Sequence, residues 1–120
     1  MWKQFAAIIL IGIAVAANAE EKPKGYRYML SLAAVTEVKS DRSALQLEEC
    51  LALATSEWLM PFIVKGEDKI HIIGSPMAPV AFFAFTIREE QNHRIVELRN
   101  DKVFGRKWGI RTEAALKECT

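Results

Sequence analysis

The sequence predicts an α+β fold: a largely antiparallel sheet of four to five strands, one long helix packed on a face, and a short C-terminal helix. Three observations predict it. One segment, Ser40 to Trp58, carries an apolar stripe at helical period. Several short apolar runs follow one another, separated by turn residues, with no helical pattern between them. Adjacent strands joined by short turns pair antiparallel, and the helix then buries its stripe on one side of them.

The amino terminus is set apart first. Lys3 precedes an uncharged run of 13 residues, Phe5 to Ala17, and Ala17-Asn18-Ala19 places small residues where a signal peptidase accepts them. A spanning helix needs about 20 apolar residues, so the run is too short to cross a bilayer. Residues 1–19 therefore read as a cleavable signal peptide and residues 20–120 as a single small domain. Membrane contact is expected only through the leader before cleavage. The expected location is periplasmic or secreted. The short leader and the lack of an Asn-x-Ser/Thr acceptor favour a bacterial periplasm.

Within the domain, Tyr26 to Val38 alternates, with Tyr26, Tyr28, Leu30, Leu32 and Ala34 on one side, and reads as a strand. In the helix, Leu47, Cys50, Leu51, Ala54 and Trp58 share the stripe; Ser43 with Gln46 fits a capping box, with Ser40 or Asp41 as alternative caps. Pro61 ends that helix. Phe62–Lys65 and Lys69–Ile73 flank Gly66-Glu67-Asp68 and read as a hairpin. Residues 74–79 form a Gly/Pro loop, Val80–Ile87 reads as a central strand, and Arg94–Arg99 as another. Gly105 and Gly109 leave Val103–Ile110 undecided, and Thr112 is placed to cap the last helix.

The two cysteines, Cys50 and Cys119, are expected to pair, because export leads to an oxidising compartment. The loop they close spans about 70 residues, which corresponds to roughly 4 kcal/mol in the chain-entropy model.

Little in the chain matches catalytic or metal-binding patterns. His71 and His93 are the only histidines, and neither a nucleophile elbow nor a phosphate loop occurs. No His or Cys spacing fits a zinc site and no acidic loop fits calcium, so neither metal nor cofactor is expected. The acidic pairs Glu48-Glu49, Glu67-Asp68 and Glu89-Glu90 fall in wet positions, unlike a general acid.

Charge is distributed unevenly. Residues 40–90 hold four basic and eight acidic side chains, whereas residues 91–120 hold seven basic and four acidic. Arg106, Lys107 and Arg111 lie in the basic stretch with Phe104 and Trp108 between them. Arg and Trp dominate interface energetics. This composition predicts a binding surface made of Arg106, Lys107, Trp108 and Arg111, with Met77 at the tip of the proline loop as a second contact. The competing reading is a solvated edge with Trp108 in the core. A near-neutral domain outside the cell is not expected to bind nucleic acid.

The leading expectation is an exported, non-catalytic binding module of the inhibitor or immunity type, or with an envelope protein-interaction role. Its partner would be a protein, with acidic surfaces favoured. One alternative is a small envelope hydrolase using His71 or His93. Another is a structural accessory subunit of an envelope complex.

Overall fold

The computed structural model describes residues 25–101 and 105–120, and of residues 105–107 the backbone alone. The proposed signal peptide, Lys102, Phe104 and the side chains of Arg106 and Lys107 lie outside the described residues. The elements run α1 (Tyr26–Ser31), β1 (Thr36–Ser40), α2 (Ala44–Ser56), β2 (Met60–Lys65), β3 (Lys69–Ser75), β4 (Phe83–Glu89), β5 (Arg94–Asn100) and α3 (Gly105–Cys119). The five strands form one sheet in the order β1-β5-β4-β3-β2, every pair antiparallel. This is the α+β architecture expected from the sequence. No helix among the described residues is long and apolar enough to cross a membrane.

Topology fixes where α2 lies. β1 and β2 are consecutive strands at opposite edges of the sheet, so the segment joining them must cross it. That segment is α2. It starts at Ser43, whose Oγ accepts from Gln46 N–H at 3.1 Å while Gln46 Oε1 accepts from Ser43 N–H at 3.0 Å. Both groups would otherwise be orphans of the first turn. Leu47 and Leu51 descend from α2 onto the sheet, and Ala115, Leu116 and Cys119 from α3. They meet alternate residues of the strands: Ile72, Phe85 and Leu98 in one cross-strand row, Ile87 and Val96 in the next. Fully burying each large apolar side chain contributes about 1.5–3 kcal/mol.

The cysteine pair closes as expected, with Cys50 bonded to Cys119. It ties the last turn of α3 to the middle of α2.

Among the described residues, the second face of the sheet is covered at one end only. There Met29 of α1 packs on Ile73, Ala81 and Ala84, with Tyr26, Leu30 and Leu32 around it. Gly74 sits in β3 under the ring of Phe83, where an added Cβ would come within 2.4 Å of the ring.

Three local expectations are corrected. Tyr26–Val38 is not one strand: it is α1 followed by β1, because β5 pairs only with Thr36–Ser40. The central strand begins at Phe83 rather than Val80, which makes only an isolated bridge with Gly25. Thr112 does not cap α3, which already starts at Gly105. Thr112 is buried in mid-helix, its hydroxyl donating to Trp108 C=O and Gly109 C=O.

Candidate functional site

One end of the sheet gathers most of the predicted contacts. α2 delivers Trp58 there, and α3 begins there with Trp108. The Trp108 ring centroid lies 6.4 Å from that of Trp58, 6.1 Å from Phe82 and 6.1 Å from Phe83. These separations are those of packed aromatic pairs. Three residues past Trp108, Arg111 returns over the same surface. Its guanidinium carbon sits 5.8 Å from the Trp58 ring centroid and 5.4 Å from that of Trp108. A cation over a ring face is held by the ring quadrupole. No carboxylate pairs with Arg111 among the described residues.

The Met77 loop reaches the same end. It leaves β3 after Ser75 and returns through Phe82, whose N–H donates to Gly74 C=O at 2.9 Å. Phe82 is in turn against Trp108. Met77 is 65% exposed, and Met60, at the start of β2 opposite Ser75, is 62% exposed. Trp108, Arg111 and Met77 therefore lie at the same end of the sheet. Trp108 is half-buried and acts as the platform under Arg111 rather than as a free surface residue. The side chains of Arg106 and Lys107 lie outside the described residues.

A second cluster was not anticipated. On the face away from α2 and α3, His71, Thr86 and Glu97 are cross-strand neighbours on β3, β4 and β5. Arg99 Nη1 donates to Thr86 Oγ1 at 3.2 Å and to Glu97 Oε1 at 3.0 Å, and Arg99 Nε donates to Leu32 C=O at 2.7 Å. Arg88 Nε contacts Glu97 Oε2 at 3.4 Å. Thr86 is buried and lies 2.9 Å from His71 Nδ1. A hydroxyl has a single proton, and Thr86 already accepts from Arg99. Its proton satisfies a buried group only if it goes to His71, so His71 Nδ1 accepts and Nε2 carries the hydrogen.

The electrostatics agree. Burial, and then the charges of Arg99 and Lys69, lower the His71 pKa, against an opposing pull from Glu97, so the imidazole is held neutral. Burial alone would push the Glu97 carboxyl up. Its hydrogen bond and charge contact with Arg99, with Arg88 beside it, outweigh that and hold it below the usual carboxylate range. Glu97 is thus an ionised carboxylate occupied by two arginines, and it does not orient His71. Among the described residues, no His–acid pair of the kind a hydrolase needs is assembled at this imidazole. His93 lies in the β4–β5 turn, where its C=O accepts from Glu90 N–H. Among the described residues, no three or more His, Cys, Asp or Glu side chains come together to hold a metal.

The single clue to this cluster in the sequence was the alternation of polar residues along β4 and β5, which places Thr86, Arg88, Glu97 and Arg99 on one side. Only the strand register shows that they meet His71. No family model, curated protein or solved structure matches this chain.

Proposed function

We propose that the chain is an exported, non-catalytic binding module that holds an acidic protein surface at the end of the sheet formed by Met77, Trp108 and Arg111. The observation that carries this reading is Arg111 laid over two tryptophan rings with no carboxylate paired to it among the described residues. A guanidinium held in this way loses little side-chain freedom when it meets an anion. Met77 supplies an exposed apolar contact at the same end, and Arg106 and Lys107 extend the positive charge along the sequence. The disulfide supports export, since such bonds persist mainly in oxidising compartments.

The test uses the disulfide-bonded protein immobilised in an envelope extract of its host, at low and at raised salt. The expected partner is an acidic protein retained by the wild type and released by salt. Arg111→Glu should weaken its binding about thirtyfold, the equivalent of an interface residue that contributes roughly 2 kcal/mol. Met77→Asp should weaken it too, with circular dichroism unchanged in both variants. Retention of every co-purifying protein at wild-type levels by both variants would refute the assignment of this surface.

A further inference from the structure

The two edges of the sheet are finished differently. β1 is short, carries the charged Glu37 and Lys39, and is crossed by a Thr36–Glu113 side-chain contact from α3. Charge and brevity are the usual ways to stop an edge from recruiting another strand. β2 has Pro61 and Lys65 toward its two ends but no charged residue between them. Phe62, Ile63 and Val64 are 39%, 37% and 40% exposed, and Met60 stands beside them.

The backbone of β2 shows what this edge offers. Gly74 points its C=O toward β4, where it accepts from Phe82 N–H. Its cross-strand partner on β2, Pro61, therefore faces away from β3. At the hairpin, Gly66 N–H bonds Lys69 C=O, which sets the same phase from the other end. Pro61, Ile63 and Lys65 thus turn their backbone polar groups outward. Pro61 has no N–H to offer. The outward donors are those of Ile63 and Lys65, and the outward acceptors are the carbonyls of Pro61, Ile63 and Lys65.

This set is self-complementary. In an antiparallel pair centred on Ile63, each Ile63 N–H meets the other copy's Ile63 C=O. Each Lys65 N–H meets the other copy's Pro61 C=O. Every outward donor is satisfied, and the missing proline donor leaves only the Lys65 carbonyl to water. On one face Phe62 comes beside Val64 of the other copy in both directions. Charge is complementary as well. The same pairing carries the acidic Glu67–Asp68 turn of each copy toward the end of the other that bears Trp58 and Arg111. We infer that β2 is a dimerisation edge at which a second copy of this chain adds antiparallel about a two-fold axis through Ile63, making one continuous sheet. A two-fold interface of this kind uses the same patch on both copies.

The experiment measures the mass of the disulfide-bonded protein by sedimentation velocity across a concentration series, for the wild type, Ile63→Pro and Ile63→Lys. Ile63→Pro removes an outward donor and leaves every bond to β3 in place. Ile63→Lys puts like charges at the axis. The expected result is a dimer whose dissociation constant rises at least tenfold in each variant, with the monomer still folded by circular dichroism. Ile63→Cys supplies an independent readout. Directly paired residues at this kind of site lie about 5.5 Å apart at Cα, within disulfide reach. It should give a covalent dimer under mild oxidation, whereas Thr36→Cys on the other edge should not. A monomer at every concentration, or covalent dimer from Thr36→Cys as readily as from Ile63→Cys, overturns the inference. Because neither readout involves Arg111 or Met77, the result is separable from that of the acidic-partner test.

Discussion

Replacing both cysteines with alanine tests what holds α3 in place. The bridge joins residues 69 apart in sequence. For a loop of that size the chain-entropy model gives about 4 kcal/mol of stabilisation at 25 °C. Alanine is the right replacement, because Cys119 is buried and a serine there would add a desolvated hydroxyl. Without the bridge, α3 keeps its apolar contacts through Ala115, Leu116 and Trp108, and Thr120 C=O still accepts from Ser40 Oγ at 3.3 Å. The domain should therefore lose stability without changing its fold. A single domain of this size has about 5–15 kcal/mol in total, so the loss is a large fraction of it. The assay is urea unfolding at 25 °C, followed by circular dichroism and by tryptophan fluorescence. With a slope of about 1.5 kcal/mol per molar urea, the midpoint of the Cys50→Ala/Cys119→Ala variant should fall by about 3 M. A midpoint within about 0.5 M of the wild type would refute the loop-closure reasoning and remove the main physical support for folding in an oxidising compartment.

Gly74→Ala forces a methyl against the buried Phe83 ring and should cost about 1–3 kcal/mol, lowering the Tm by several degrees; an unchanged Tm would mean that the ring can move aside freely. His71 gives a pH signature. Its folded pKa lies below the usual 6.5, so the unfolded chain takes up the proton first and stability falls as pH drops below about 6.5. His71→Asn should flatten the urea midpoint between pH 7.5 and 5.5, and an identical slope in that variant would assign the effect elsewhere. Glu97 acts lower on the scale: its folded pKa is below the ordinary 4.5, so its stabilisation is present above that value and is lost as pH falls past it. Arg99→Met leaves Glu97 with Arg88 alone and should cost about 2 kcal/mol, whereas Arg99→Met/Glu97→Leu should recover most of it; equal losses in the single and double variants would show that the pair is not coupled.

The legible parts of the fold were those in which local chemistry and tertiary context agree. The Ser43–Gln46 capping box and the Leu47/Leu51 stripe are visible in sequence because helix period and burial coincide. The β2–β3 hairpin is visible because Gly66 marks its turn. Tyr26–Val38 misled for a physical reason. A helix of six residues is too short to display a 3.6-residue period, and Tyr26, Tyr28 and Leu30 happen to alternate. The start of α3 was hidden by Gly105 and Gly109, which oppose helix formation locally; packing of Trp108 against Trp58, Phe82 and Phe83 overrides them. In the candidate site, Trp108 and Arg111 were visible as residue types, but that Arg111 rests on Trp58, far off in sequence, follows only from the packing of the two helices.

The polar row on the second face then has an explanation that does not require catalysis. An ion pair such as Arg99–Glu97 adds little stability over apolar residues of the same shape, so it needs another reason to be there. Register supplies one. On β5, Val96 and Leu98 face the helices while Glu97 and Arg99 alternate with them. A slip of one residue would turn Glu97 and Arg99 beneath α2 and α3, where neither could be solvated or paired. On β4, Phe85 and Ile87 against Thr86 and Arg88 set the same penalty, and on β3 Ile72 against His71 does so again. Three central strands are thus each held in one register by the same row. The charges of Glu97 and Arg99 are engaged within it. Thr86 bonds His71, Arg99 bonds Thr86, Glu97 and Leu32, and Glu97 holds two arginines. Arg111 has no such internal anionic partner among the described residues, and that difference is why the end of the sheet, and not its polar face, carries the proposed contact with another protein.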